Sequence, residues 1–258
     1  MEFETIHLWK DGTDETLLFR TVNGGEDIRP AMLVIPGGGY GCVCHDWEGT
    51  PIAERFEQLG FRTFILRYRV NPHRFPEPLQ DALRAMKLIR GNAAKWKIFP
   101  DNIAACGFSA GGHLAGTLGT IALDLEANNG DEFDAVDPVP NALILSYAVV
   151  SGTEVCHRGS VVNLMGDYTD ESMEMFSLEK HVSERTPPTY IWTTQEDQLV
   201  PVENSLLFSM AMHKVDRPCE MHIFPFGRHG IQLGAGRRDI PCWPAEAARF
   251  LQESCGFR

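Results

Sequence analysis

Apolar residues in this chain come in short unbroken runs, not in strict alternation with polar ones. AMLVIP (31–36), closed by proline and glycine, has the composition of a strand buried on both faces. FRTFILRY (61–68) reads as the next buried strand, and NIAACGF (102–108), ALILSY (142–147), TYIWTT (189–194) and EMHIFP (220–225) as further strands. Two earlier runs, IHLW (6–9) and TLLFRTV (16–22), are joined by the turn signal KDGTD. Helical spacing appears between the strands. A helix is expected from Pro51, with Thr50 as its N-cap and Gly60 as its end. Leu79, Ala82, Leu83, Met86 and Ile89 mark another that runs into the 90s. A helix of small residues follows Phe108, and Trp243 to Gln252 closes the chain as a helix. Alternating strands and helices predict an α/β fold: a mainly parallel sheet covered on both faces, with an antiparallel start. Residues 1–258 are expected to form a single domain. The polar, methionine-containing stretch 153–186 fits neither period and is expected to be a cap-like insertion over the sheet edge. Ligands of such sheets sit at the carboxyl ends of the strands, so the residues following each strand carry the functional question.

Composition narrows the partners. Hydrophobic residues make up 43% of the chain, enough for a substantial core. The formal net charge is -12, the wrong sign for nucleic acid or an anionic membrane surface. No stretch is long and apolar enough to span a bilayer, and MEFETIHLWKDG shows no basic region followed by an apolar run, so no secretory signal is expected. Seven scattered cysteines make a poor disulfide framework; reduced thiols and a cytoplasmic location are expected.

The strand at 102–108 runs into CGFSAGGHLAG, in which Gly107, Ser109 and Gly111 form G-x-S-x-G between a strand and a helix. A turn that sharp strains the central residue, leaves its hydroxyl at the tip, and forces tiny residues two positions either side. The serine also stands at a helix N-terminus, where free N–H groups favour a developing anion. Neither Gly-Lys-Ser/Thr nor G-x-G-x-x-G is present there, which removes the phosphate-loop and dinucleotide readings.

A serine nucleophile needs a base, and the base an orienting acid. QEDQLVP follows the strand at 189–194; Asp197 is the favoured acid and Glu196 the alternative. FPFGRHGIQ follows the last strand and offers His229 as the base. The order serine, aspartate, histidine is one that G-x-S-x-G hydrolases use. His113, one helical turn beyond Ser109, is expected to pack beneath the turn.

PGGGYGCVCHDWEG (36–49) follows the third strand. Its Cys42, Cys44 and His45 suggest zinc, but no second Cys/His pair stands at structural spacing. Its glycines suit an oxyanion hole: the N–H groups around Gly38 and Gly39 supply one half, and that of Ala110, just after the nucleophile, the other. No metal and no cofactor is expected.

With those residues in place the chain resembles the α/β-hydrolase superfamily of the esterase/lipase type, and within it the acetyl esterases and acetylxylan esterase-like carbohydrate esterases. PGGGY (36–40), WEG with Ala53 (47–53), LRYRV (66–70), GFSAGGHLA (107–115), SLEKHV (177–182), TPPTYIW (186–192), EDQLVPVENS (196–205) and GRHG (227–230) carry the resemblance. It implies a serine carboxylesterase acting through Ser109, Asp197 and His229 on a small acetyl ester or acetylated sugar. Tyr40 and Trp47 are expected to touch the substrate. A peptidase or amidase on the same fold, and a non-catalytic binding protein, are the competing readings.

Overall fold

The computed structural model describes residues 2–22, 25–153, 155–234 and 236–258; Glu154, one of the charges of the 153–186 stretch, lies outside them. Eight strands form one sheet: β1 (Phe3–His7), β2 (Leu17–Thr21), β3 (Arg29–Ile35), β4 (Arg62–Arg67), β5 (Ile98–Phe108), β6 (Ala142–Ser146), β7 (Thr189–Thr194) and β8 (Cys219–Phe224). Their spatial order is β1-β2-β4-β3-β5-β6-β7-β8. The pairs β1–β2 and β2–β4 are antiparallel, and every pair from β4–β3 to β7–β8 is parallel. The chain thus has the α/β-hydrolase fold. The first strand starts three residues earlier than its apolar run suggests. Pairing with β2 places Phe3 opposite Thr21, while Trp9 leaves the sheet and donates its indole N–H to Asp81 at 2.7 Å.

The helices are α1 (Thr50–Gln58), α2 (Glu77–Gly91), α3 (Ala93–Trp96), α4 (Ala110–Thr117), α5 (Arg158–Met165), α6 (Asp170–Phe176), α7 (Glu203–Lys214) and α8 (Trp243–Cys255). Successive strand residues point to opposite faces, and each face has its own cover. Leu33, Ile35, Ile103, Ala105, Leu143 and Leu145 meet Leu79, Leu83 and Met86 of α2, Leu114 of α4, and Phe208 and Met212 of α7. Met32, Val34, Ala104, Cys106, Ile144 and Trp192 meet Ile52 and Phe56 of α1 and Phe250 and Leu251 of α8. Cys106 is a small core residue. Trp192 is core too: it stacks on Trp243 with ring centroids 5.0 Å apart and donates to Ser146 Oγ at 2.8 Å. Each such side chain taken fully from water contributes about 1.5–3 kcal/mol before its ordering cost.

Two local expectations are corrected. Thr50 is not an N-cap but the first residue of α1. A π-helical turn over His45–Gly49 leads directly into the helix, so no side-chain cap closes that end. Gly60, at φ +95°, does turn the chain away after α1. Within the 153–186 stretch, α5 and α6 lie over the carboxyl ends of the central strands and not over an edge of the sheet. Asn163 of α5 donates to the carbonyl of Gly39 at 2.9 Å, just past β3. Phe176 of α6 stacks on His113 of α4 at 3.8 Å. No helix among the described residues is long and apolar enough to cross a membrane.

Candidate active site

Ser109 sits between β5 and α4 at φ +53°, ψ −121°, a conformation foreign to residues with a Cβ. The flanking glycines permit it. A Cβ on Gly107 would stand 2.1 Å from the carbonyl oxygen of Gly111, and one on Gly111 would stand 2.2 Å from that of Ile35. The turn is tied down by Ser109 N–H donating to the Ser146 carbonyl at 3.1 Å and by Val149 N–H donating to the Ser109 carbonyl at 3.1 Å.

Three loops converge on its hydroxyl. His229 Nε2 lies 2.8 Å from Ser109 Oγ, and His229 Nδ1 lies 2.6 Å from Asp197 Oδ2. Asp197 is buried; its other oxygen accepts from the N–H groups of Leu199 at 3.0 Å and Val200 at 2.9 Å, which fixes the carboxylate plane. With Asp197 accepting at Nδ1, the proton of a neutral imidazole stays there and Nε2 faces the serine as acceptor. Glu196 turns the other way and accepts from Gly227 N–H at 3.0 Å, holding the β8 loop that carries His229. Tyr147, after β6, packs edge-on against the His229 ring with centroids 5.1 Å apart.

The glycine loop closes on its own carbonyls. Gly41 and Cys42 donate back to Gly38 O, and Cys44 to Gly37 O. Gly38 and Gly39 have φ of +130° and +63°, and a Cβ on Gly38 would strike the Cys42 carbonyl at 2.2 Å. Among the described residues no protein acceptor takes the N–H of Gly38, Gly39 or Ala110. Gly38 and Gly39 line the same cleft as Ser109 and His229. Gly37 N–H is different: it donates to Glu48 Oε2 at 2.8 Å.

Of the two residues expected to contact substrate, Trp47 borders this cleft with 68% of its surface exposed. Tyr40 does not, and that expectation is corrected. It is 0% exposed, and its hydroxyl donates to His113 Nδ1 at 2.8 Å, because φ of +57° folds its side chain back beneath α4. His113 in turn donates from Nε2 to the Phe176 carbonyl at 2.8 Å, and burial pushes its pKa down to about 4. It packs under the turn, as its spacing suggests.

The sequence gives no role to several other cleft residues. Glu48, Gln232 and Leu199, which follows β7, are among them, as is His157 from the insertion. Glu48 accepts from Tyr147 Oη at 2.8 Å as well as from Gly37, and burial raises its carboxyl above the ordinary range despite those bonds and the nearby His229. WEG lies in an exposed-looking loop, so only its place in a shared motif hints at Glu48. His157 lies in a segment without periodicity and carries no sequence signal. Cys42 is exposed and Cys44 borders the cleft; burial, then Glu48 and Cys42, push the Cys44 thiol up to about 11. Among the described residues no group of three or more His, Cys, Asp or Glu side chains is placed to hold a metal ion.

Comparison with known proteins agrees with this architecture. Residues 20–212 match the BD-FAE family. The chain is 41% identical over 223 residues to endo-1,4-beta-xylanase B of Butyrivibrio fibrisolvens, covering 84% of this chain and 34% of that protein. It is 30% identical over 236 residues to an acetylxylan esterase of Xylanibacter ruminicola, covering 89% of this chain and 46% of that protein. This chain therefore spans less than half the length of either relative. Among solved structures, an acetyl ester-xyloside bifunctional hydrolase from Caldicellulosiruptor lactoaceticus superimposes with a TM-score of 0.91 at 36% identity, over 98% of this chain and 97% of that one. With a family model matched over about three quarters of its length and the fold shared with that solved structure, this chain belongs to the BD-FAE family of α/β-hydrolase proteins.

Proposed function

We propose that the chain is a serine carboxylesterase that removes acetyl or other short acyl groups, with acetylated carbohydrate as its substrate class. In this reading residues 1–258 work as one catalytic domain and 153–186 as its cap. The observation that carries the reading is the continuous relay Asp197–His229–Ser109, with bonds of 2.6 and 2.8 Å, beside uncommitted N–H groups. Ser109 Oγ attacks the ester carbonyl as its proton passes to His229 Nε2, and Asp197 stabilises the imidazolium. The N–H groups of Gly38, Gly39 and Ala110 receive the oxyanion, each donor lowering the barrier by roughly 3–4 kcal/mol. The tetrahedral adduct collapses as the alcohol leaves with the proton from His229. Water, giving its proton to the same nitrogen, then attacks the acyl-serine, and collapse of that second adduct returns the proton from His229 to Ser109 Oγ as the acid is released.

The carbohydrate part of the reading is supported by the relatives whose names concern xylan and acetyl esters, and by the exposed indole of Trp47 at the cleft. Acetate release from acetylated xylo-oligosaccharides by the wild-type chain and by Ser109→Ala tests it. Wild-type turnover with a loss of several orders of magnitude in a folded variant is expected. Equal rates would show that Ser109 is not the nucleophile.

A further inference from the structure

The cleft holds a second imidazole. His157, just before α5 in the insertion, lines it together with Ser109 and His229. Its Nδ1 is 2.8 Å from Ser160 Oγ, and its Cε1 stands 3.6 Å from the point where a Cβ on Gly39 would be. The ring therefore overhangs the oxyanion loop. Among the described residues nothing hydrogen-bonds its Nε2, and that nitrogen is not sealed from solvent. Burial, helped by His229, disfavours the charged ring, so it carries one donor and one acceptor nitrogen. Ser160 occupies one of them. The other is left to whatever fills the cleft.

The remaining wall is amphipathic in a particular way. Trp47 and Leu199 expose apolar surface on the same cleft. In the proposed mechanism the acyl carbonyl oxygen is taken by the N–H groups of Gly38, Gly39 and Ala110, and an acetyl methyl has no atom that can bond a ring nitrogen, so the partner left for Nε2 lies on the alcohol part of the ester. An alcohol with a C–H face for the indole and a hydroxyl for the imidazole satisfies both walls. A plain hydrocarbon alcohol covers Nε2 without a partner, which costs binding.

We propose that His157 is a specificity-determining residue that reads a free hydroxyl on the alcohol part of the ester, while the Trp47 indole receives that part's apolar face. The proposal rests on the esterase reading and refines it. It makes the substrate a partly acetylated polyol or pyranoside that keeps an unesterified hydroxyl.

The test compares kcat/KM for 2-hydroxyethyl acetate and propyl acetate, which have equal numbers of heavy atoms. The wild-type ratio is expected to exceed that of His157→Phe by about tenfold. A ratio measured within one preparation is unaffected by partial unfolding of a variant. Methyl glycolate against methyl propanoate places the hydroxyl on the acyl side, and there the two proteins should give the same ratio. Trp47→Ala should lower kcat/KM for methyl 2-O-acetyl-β-xylopyranoside more than for 2-hydroxyethyl acetate. Equal ratios for wild type and His157→Phe with the first pair overturn the proposal, as does an effect confined to the glycolate pair. Failure to cleave the acetylated xyloside, with the hydroxyethyl ratio still dependent on His157, sinks the carbohydrate reading alone. No turnover of any ester sinks both.

Discussion

Asp197 and Glu196 are adjacent in sequence and opposite in duty. Asp197 bonds His229 Nδ1 at 2.6 Å, whereas Glu196 bonds a backbone N–H of the loop that carries the histidine. Asp197→Asn should leave the fold intact and cut kcat by about 10³–10⁴-fold, because an amide that donates to Nδ1 selects the wrong tautomer. Glu196→Gln keeps its acceptor oxygen and should stay within a few-fold of wild type. Steady-state kinetics on p-nitrophenyl acetate separate the two, and the reverse ranking would move the acid by one position. His113 carries a different prediction, one of stability. Its folded-state pKa is depressed to about 4 from an ordinary 6.5, so below 6.5 the unfolded chain binds a proton that the folded chain refuses. The stability tied to this group is present above 6.5 and is lost as the pH falls toward 4, by roughly 3 kcal/mol at about 1.4 kcal/mol per pH unit. His113→Leu gives up two buried hydrogen bonds at pH 7, but the gap to wild type should close across that window in urea denaturation. A gap constant from pH 7 to 4 would contradict it.

At the scale of elements, the strands were the most legible part of the sequence, and for a physical reason. A strand covered on both faces must be apolar at every position, and Met32 through Ile35, Ala104 through Cys106 and Tyr190 through Trp192 alternate between two cores without a polar interruption. The serine turn was legible because sterics leave no substitute for Gly107 and Gly111. The insertion was not. Its two helices are eight and seven residues long and bury only Ser160, Val161, Leu164, Ser172 and Phe176, too few to set a period. Tyr40 misled for a related reason: a positive φ at a residue with a Cβ redirects its side chain, and pattern alone cannot show it. The insertion also sets an expectation about substrates. Leu164 and Phe176 are spent in fastening it to the body, and Asn163 ties it to Gly39 directly above the oxyanion loop. That leaves little apolar length over the cleft for a long acyl chain. Across p-nitrophenyl esters from acetate to decanoate, kcat/KM should be highest at acetate and fall steeply within the first few added carbons, once exclusion adds to the about 1–3 kcal/mol that one methylene can discriminate. An optimum at octanoate would place the acyl pocket elsewhere.

Across the whole molecule, the candidate site is gathered from residues 38, 39, 109, 197 and 229, all beyond the carboxyl ends of parallel strands. The proposed mechanism leaves carbonyl polarisation to backbone N–H groups, so prolonged EDTA treatment should leave ester hydrolysis unchanged; a loss restored by zinc alone would reopen the Cys42–Cys44 loop. The serine turn has a further consequence, for heredity as much as for chemistry. Ser109 holds a backbone geometry that costs a residue with a Cβ about 1–3 kcal/mol. Glycine would take it without strain, giving back part of the gain as unfolded-state freedom. Ser109→Gly should therefore be inert and yet melt above Ser109→Ala by an amount worth about 1 kcal/mol, readable by calorimetry. A lineage released from selection for turnover, but still screened for durability, would drift toward that glycine. Silent members of this fold should then be sought among chains that are sturdier than their working cousins, not frailer.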